Sequence, residues 1–325
     1  MDCTEAAAAV EEDIQMSIIA GLAPAKINLS LRVVSRRPDG FHDIDTLVSF
    51  VDLCDSLVFS PAGANRQELR VTGRVAHVPA DGRNLVLRAA KALSDHVDRD
   101  LPFSGVLDKR IPTGAGLGGG SSDAATTLTI LNTMHGLHLS TDQLSRIGAA
   151  VGSDVPLFVT SNGGSCRVRG RGEVVEPLDW APRGWCVLII PPVHCPTPAV
   201  YAAWDRTARS SPADRRVPCD CGEAPGDWLA SCFNDLQDAA FDLFPPLAQI
   251  QRQATSLCGR PVTLTGSGST LFTAFDEPVR AGQAADRLSG EMDVETVVVP
   301  LRTWAGNPMP EVQYADHGDS CQARA

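Results

Sequence analysis

The sequence contains no run of about 18 or more apolar residues, so we expect neither a membrane-spanning helix nor a membrane partner. Its acidic start (MDCTEAAAAVEEDIQ) lacks a basic segment followed by an apolar stretch, which argues against a secretory signal. Basic residues number 28 against 39 acidic ones, giving a net charge of −11. Because a nucleic-acid surface needs clustered lysine and arginine, nucleic acid is not an expected partner.

The sequence also lacks CxxC cysteine pairs and contains few lysines. The ten cysteines include no CxxC pair, and the spacing of Cys219, Cys221 and Cys232 matches no standard zinc site. This scatter favours reduced thiols in a cytoplasmic protein. Only three lysines occur, and Lys26 and Lys109 lie beside the two most informative motifs. Arginine cannot replace the compact ammonium of lysine where the chemistry needs one. The low number of lysines, taken alone, is equally consistent with a coding bias.

Hydrophobic patterning indicates two α+β units. In the first half, alternation predicts a strand at 25–34, a turn at 38–40 and a second strand through Phe50. Helical spacing follows at 84–95, and a capping box at Ser140 opens a helix that ends at Gly152. In the second half, strands at 185–190, 262–265, 271–275 and 296–301 alternate with helical patterns in the β-α-β-β-α-β order of ferredoxin-like domains. Residues 205–225 are predicted to form a surface excursion.

A glycine-rich segment carries the clearest chemical signal. Five glycines at 114, 116, 118, 119 and 120 precede Ser121 and Ser122 at a predicted helix start. Glycine lets backbone N–H groups approach an anion, and a helix N-terminus adds unpaired donors. No GK[ST] follows, so this is not a Walker A loop. The pattern indicates a phosphate-binding loop. A flexible linker is the alternative, but a linker would not run into a well-capped apolar helix.

Three segments resemble the motifs of the GHMP kinase superfamily. They are PAKIN at 24–28, PTGAGLGGGSSDAA at 112–125 and LTGSGSTLF at 264–272. The resemblance implies an α+β fold of two domains, an N-terminal nucleotide-binding domain at 17–178 and a C-terminal ferredoxin-like α/β sandwich at 183–304. The active site would lie between them, and the ends 1–16 and 305–325 are predicted to be disordered.

Further segments are similar to one branch of this superfamily. RRPDGFHDIDTLVSFVDLCD, NLVLRAA and PTPAVY resemble the kinases of the non-mevalonate (MEP) isoprenoid pathway, whose acceptor is a cytidine diphosphate-linked polyol. This resemblance implies ATP- and Mg²⁺-dependent phosphorylation of the 2-hydroxyl of that polyol. A monomer or weak homodimer is the expected state of the chain. Other acceptors, namely homoserine, mevalonate or a sugar, stay open, as do a diphosphate-mevalonate-type decarboxylase and a non-catalytic ligand sensor.

The resemblance also assigns catalytic and nucleotide-binding residues. Asp154 is the implied general base and Lys26 its partner, since an ammonium keeps a carboxylate ionised and stabilises a developing alkoxide. A turn aspartate and an edge lysine are the structural alternatives. The ATP-binding set is Pro112, Thr113, Gly114, Ala115, Gly116, Leu117, Gly118, Gly119, Gly120, Ser121, Ser122, Asn84 and Lys109. Asn84 serves equally well as a helix N-cap, and Lys109 as an ordinary strand-end lysine. Mg²⁺ carried with ATP is expected near Ser122 or Asp123. At the position of Asp123 the family commonly has asparagine.

The acceptor-binding set is implied in the same way. It comprises Asn28, Phe41, His42, Thr197, Tyr201, Gly266, Ser267 and Gly268. In the resembled kinases this region binds cytosine by stacking and hydrogen bonds, and Tyr201 supplies the aromatic ring opposite the DGFHD turn. Phe41 stands where the family usually has tyrosine, which keeps the stacking surface and loses the hydroxyl.

Overall fold

A computed structural model of the chain describes residues 18–63, 66–75, 78–161, 163–207, 218–220, 222, 224–301 and 313–314. The predicted disordered ends and part of the 205–225 excursion lie outside these residues. Gln313–Tyr314 is the exception, because it forms a strand that pairs antiparallel with Ile19 and Ala20. Disorder of the two ends stays a prediction. No helix in the described ranges is long and apolar enough to cross a bilayer.

The N-terminal sheet is built on two long antiparallel strands, β1 (Ile19–Arg36) and β2 (His42–Ser60). The other strands are β3 (Gln67–Gly73), β4 (Phe103–Lys109), β5 (Cys166–Gly170) and β6 (Val174–Pro177). β4 and β5 pair with different parts of β2, β3 runs parallel to β4, and β6 pairs with β5. β1 begins earlier than the predicted strand, because residues 19–24 also pair along β2 although glycine and proline interrupt their pattern.

Helices pack against this sheet around one apolar core. They are α1 (Leu85–Val97), α2 (Gly119–Met134), α3 (Thr141–Val151) and α4 (Val155–Thr160). Phe59, Phe103 and Leu128 lie in the core. The capping box at Ser140 and the helix end at Gly152 are confirmed, because both signals are local.

The C-terminal half contains a second sheet of the predicted kind. Its elements are β7 (Trp185–Ile190), α5 (Thr197–Thr207), α6 (Pro225–Trp228), β8 (Phe233–Asn234), α7 (Gln237–Leu243), α8 (Pro245–Cys258), β9 (Thr263–Leu264), β10 (Leu271–Phe275), α9 (Pro278–Glu291) and β11 (Glu295–Pro300). The strand order β11-β7-β10-β9, antiparallel throughout, is that of a ferredoxin-like sheet. The predicted α+β fold is confirmed.

β1 joins the two halves. Its Ile27 and Leu29 share an apolar cluster with Leu188 of β7 and Phe272 of β10. β8, although it lies in the C-terminal half of the chain, pairs parallel with β1. Because side chains alternate along a strand, the residues between these apolar positions point to the opposite face, where the candidate site lies.

Candidate active site

Lys26 and Asn28 occupy that opposite face of β1. The Nζ of Lys26 donates to Oδ1 of Asn28 at 2.6 Å and to the carbonyl oxygen of Gly116 at 2.8 Å. Asn28 is itself held, because its Nδ2 donates to Oγ1 of Thr46 at 2.8 Å and its Oδ1 accepts from Oγ1 of Thr265 at 3.2 Å. The buried ammonium of Lys26 is therefore fixed in position against the glycine loop (residues 112–122).

The glycine loop requires glycine at alternate positions. Gly114, Gly116 and Gly118 have φ values of +66°, +81° and +72°, a region that L-residues with side chains rarely adopt. A Cβ at Gly116 would lie 2.5 Å from the carbonyl oxygen of Thr265, and one at Gly118 would lie 2.9 Å from the ring of Phe158. Any side chain at these two positions would displace backbone or buried aromatic atoms.

Both domains fix the loop, and α2 begins within it. The backbone N–H of Lys26 donates to the carbonyl oxygen of Leu117 at 3.0 Å, and that of Thr270 donates to Ala115 at 3.2 Å. α2 starts at Gly119, and the N–H groups of its first turn have no acceptor within the helix. A rigid loop with free donors at the positive end of a helix dipole is suited to binding phosphate groups.

A cavity of about 510 Å³ opens along this loop, a volume in the range of small-molecule sites. The predicted residues that line this cavity are Lys26, Asn28, Pro112, Thr113, Gly114, Ala115, Gly116, Leu117, Gly118, Gly119, Gly120, Ser121, Asp154, Thr197, Tyr201, Gly266 and Ser267. The structure therefore brings the implied catalytic pair, the loop and part of the acceptor set together. Asn84, Lys109, Ser122 and Gly268 are not among its lining residues.

Lys109 lies beneath the loop in a buried charge cluster. Its Nζ donates to Asp55 and, at 2.7 Å, to Oδ2 of Asp123. The backbone N–H groups of Arg110 and Ile111 donate to Oδ1 of Asp55 at 2.6 and 2.8 Å. Burial raises the pKa of Asp123 to about 8, with Lys109 opposing this shift and Asp55 adding to it.

Lys109 and Asp123 are each 2% exposed, so their side chains lie behind the wall of the cavity. The role of Lys109 in positioning the nucleotide and the place of Mg²⁺ near Ser122 or Asp123 stay predictions. Asn84 caps α1, accepting from the N–H of Val86 at 3.0 Å and donating to the carbonyl oxygen of Pro79 at 2.7 Å, and its contact with the nucleotide stays a prediction.

Asp154 occupies the N-cap position of α4, but its side chain makes no capping hydrogen bond. The carboxylate instead faces the cavity along the glycine loop and a second cavity next to it. Burial lowers the pKa of Lys26, and the negative charge of Asp154 partly opposes that shift. A carboxylate that is not used for capping and faces two adjoining cavities is available to accept a proton.

The second cavity is aromatic and has a volume of about 480 Å³. Phe41, His42, Tyr201, Arg171 and Asp205 lie in its wall. Phe41 is 48% exposed, and the guanidinium carbon of Arg171 lies 3.8 Å from the centroid of its ring. His42 stacks directly on Tyr201, with ring centroids 4.7 Å apart. No base can lie between His42 and Tyr201, so a base in this cavity has the face of Phe41 and the free side of Tyr201 to stack on.

The third glycine-containing turn (residues 266–268) borders the cavity along the glycine loop. Oγ of Ser267 shares a hydrogen bond of 2.7 Å with Oγ1 of Thr197, which joins this turn to the start of α5. Asn234 donates to the carbonyl oxygens of Leu264 and Gly266 at 2.9 and 2.7 Å. The turn is therefore held from the side of β8 as well.

Comparison with known proteins places this arrangement in a family. The family model described as GHMP kinases N terminal domain matches residues 84–162, and the one described as GHMP kinases C terminal matches residues 222–294. The chain is 37% identical over 271 residues to 4-diphosphocytidyl-2-C-methyl-D-erythritol kinase of Methylococcus capsulatus, covering 82% of this chain and 86% of that protein. It is 38% identical to the kinase of the same name from Exiguobacterium sibiricum, covering 82% and 93%.

This chain belongs to the 4-diphosphocytidyl-2-C-methyl-D-erythritol kinase family.

Solved structures agree with that membership. A crystal structure of 4-(cytidine 5'-diphospho)-2C-methyl-D-erythritol kinase superposes with a TM-score of 0.71 at 32% identity, covering 87% of this chain and 98% of the other. A homoserine kinase from Cytophaga hutchinsonii superposes with a TM-score of 0.62 at 18% identity, covering 91% and 98%, and shares the fold. The predicted superfamily, fold and kinase branch are confirmed.

Several residues that build the site of this kinase were not predicted from the sequence. Thr46 and Thr265 hold Asn28, Asn234 holds the third turn, and Arg171 and Asp205 line the aromatic cavity. Each acts through a partner distant in the sequence. Thr46 and Asp55 lie in the quoted segment RRPDGFHDIDTLVSFVDLCD and Thr265 lies in LTGSGSTLF, but nothing in these segments indicates which residues they contact.

Proposed function

We propose that this chain transfers the γ-phosphoryl group of ATP to the 2-hydroxyl of 4-diphosphocytidyl-2-C-methyl-D-erythritol, in the MEP pathway. The observation that carries the proposal is the position of Asp154. Its carboxylate faces both the cavity along the glycine loop and the aromatic cavity. A kinase for a nucleotide-linked alcohol needs a proton acceptor at the boundary between a phosphate site and a site for the nucleoside.

The glycine loop fits the phosphates of ATP. Gly116 and Gly118 leave no room for a Cβ, so backbone donors lie at the cavity wall where phosphate oxygens can approach. Mg²⁺ neutralises negative charge on the transferring phosphates when it is bound. The described residues contain no group of three or more histidine, cysteine or acidic side chains that could hold a metal. We infer that Mg²⁺ arrives with ATP, and Ser122 and Asp123 at the start of α2 stay its predicted neighbours.

Two side chains carry the chemistry. As the acceptor oxygen forms its bond to the γ-phosphorus, its O–H bond breaks and the proton passes to Asp154. The bond between the γ-phosphorus and the bridging oxygen breaks with its electron pair, which leaves ADP. Lys26 stands at the carbonyl oxygen of Gly116 and is fixed by Asn28, so its ammonium stabilises charge on the oxygens at the reacting centre.

The aromatic cavity is the proposed site of the cytosine ring. Phe41 and the free face of Tyr201 offer stacking surfaces, each worth about 1–3 kcal/mol to a bound base. The polyol then extends past Thr197, which lines both cavities, toward Asp154.

We further propose that the enzyme acts in the cytoplasm as a monomer or weak homodimer, since one chain supplies every residue of the site. Its net charge of −11 supports the absence of a nucleic-acid partner.

A coupled assay of ADP release tests the proposal. The purified chain is supplied with ATP, Mg²⁺ and, separately, 4-diphosphocytidyl-2-C-methyl-D-erythritol, homoserine and mevalonate. We expect turnover with the cytidine compound only. Faster turnover of either other acceptor would contradict the substrate, and CO₂ release with ADP from a diphosphorylated mevalonate would favour a decarboxylase.

A further inference from the structure

His42 is bound to a carboxylate that no motif indicated. Its Nε2 lies 2.8 Å from Oδ1 of Asp205, a residue on α5 that is 163 positions away in the sequence. A carboxylate can only accept a hydrogen bond, so the proton of this bond belongs to Nε2 of His42. The second oxygen of Asp205 faces Arg36, whose Nε is 3.6 Å away.

The imidazole ring is also fixed in orientation. It stacks on Tyr201 with centroids 4.7 Å apart and 29° between the planes, and it meets the edge of Trp204 at 5.8 Å and 90°. The side chain of His42 is only 7% exposed. Because two aromatic rings and the bond to Asp205 hold the ring, it cannot turn over to exchange its two nitrogens.

The other ring nitrogen is free for a ligand. No residue in the described part of the chain hydrogen-bonds Nδ1 of His42, and His42 lines the aromatic cavity. In a neutral imidazole whose Nε2 carries the proton, Nδ1 is an acceptor. Cytosine carries an amino donor at position 4 of its ring, whereas uracil carries a carbonyl oxygen there. An acceptor at this point therefore distinguishes the two bases.

We propose that Asp205 is a positioning residue that holds His42 in the Nε2–H tautomer, so that Nδ1 accepts from the 4-amino group of a cytosine ring. The inference rests on the proposed function, because it concerns the base of the same acceptor. It adds a residue and a reason for selectivity: uracil would set a carbonyl oxygen against the Nδ1 lone pair, which leaves two acceptors without a donor.

The tautomer is read directly by long-range ¹H–¹⁵N NMR of the ¹⁵N-labelled full chain at neutral pH. We expect an unprotonated Nδ1 and a protonated Nε2 for His42 in the wild-type protein. In Asp205→Ala we expect a mixture of tautomers. Arg206→Ala is the matched control, because Arg206 follows on the same helix and bonds only the carbonyl oxygen of Ala202 among the described residues. That variant is expected to keep the wild-type signals.

Binding of CDP and UDP, measured by calorimetric titration, is the second readout. Wild type is expected to prefer CDP, and Asp205→Ala to lower that preference by roughly 10- to 100-fold, while its ATP affinity stays unchanged. A protonated Nδ1 in wild type would overturn the proposal even if the variant does not fold. So would an unchanged CDP/UDP ratio in folded Asp205→Ala. Wild type that binds neither nucleotide would overturn the proposed function itself, a result distinct from both.

Discussion

Replacing Asp123 with asparagine removes one of the two carboxylates that share Lys109 beneath the glycine loop. The pKa of Asp123 is raised from 3.8 to about 8, first by burial, with Asp55 adding to the shift and Lys109 opposing it. Between about pH 4 and pH 8 the folded protein therefore keeps a proton that the unfolded chain has released. The stability that Asp123 contributes is fully present below about pH 4 and is lost as the pH rises to about 8.

The size of this loss follows from the shift. One pKa unit corresponds to about 1.4 kcal/mol, so wild type loses unfolding free energy on the order of 2–3 kcal/mol between about pH 5 and pH 7 through this group. Asparagine keeps an oxygen for Lys109 and cannot ionise. Relative to wild type, Asp123→Asn should therefore gain about 2–3 kcal/mol over that interval and gain no more above about pH 8.

Urea unfolding followed by far-UV circular dichroism, at several pH values between about 5 and 8, measures this difference. Asp55→Asn is the contrasting variant, since it removes a charge from the same cluster. It should destabilise the protein by about 3 kcal/mol or more at neutral pH, because Asp55 accepts from Lys109 and two backbone N–H groups. A difference between Asp123→Asn and wild type that does not change with pH would refute the reasoning.

Three further predictions concern the site. Asp154→Asn should lower kcat by a factor of roughly 10²–10⁴ while ATP affinity is retained. Lys26→Arg should also be inactive, because a planar guanidinium does not fit beside Gly116. Steady-state kinetics with calorimetric ATP titration checks both variants, and near-normal kcat in either folded variant would remove the role assigned to that residue. Gly118→Val should abolish ATP binding in a folded protein, because a Cβ there would lie 2.9 Å from Phe158 and φ is positive; unchanged affinity in the titration would mean that the loop does not bind phosphate. Tyr201→Ala should weaken CDP binding by about 1–3 kcal/mol without affecting ATP, and equal weakening of both nucleotides would argue against stacking on this ring.

Local features of the site were predictable from the sequence. The glycine loop with its helix start, the capping box at Ser140 and the N-cap at Asn84 each depend on residues within a few positions of one another. The ferredoxin-like order was predictable too, because it depends on the succession of patterns along the chain. Such signals arise from backbone sterics and periodic burial, which a short window of sequence contains.

Partners brought together by the tertiary fold were not predictable in this way. Asn28 meets Thr265 across 237 positions, and Lys109 meets Asp55 across 54. The position of Lys109 beside the loop is visible in the sequence, whereas its contacts with Asp55 and Asp123 are not. The same holds for His42, whose place beside the base was expected from the family resemblance and whose bond to Asp205 was not.

The central claim, phosphorylation of a cytidine diphosphate-linked alcohol at a site organised by Asp154, is tested most directly by the product. The chain is incubated with ATP, Mg²⁺ and 4-diphosphocytidyl-2-C-methyl-D-erythritol, and the mixture is analysed by ³¹P NMR, with Asp154→Asn in parallel. We predict one new phosphomonoester resonance per ADP formed, an intact diphosphate on the acceptor, coupling that assigns the new phosphate to the 2-oxygen, and almost no product from the variant. ADP formed without a phosphorylated acceptor, or equal product from Asp154→Asn, would contradict the account.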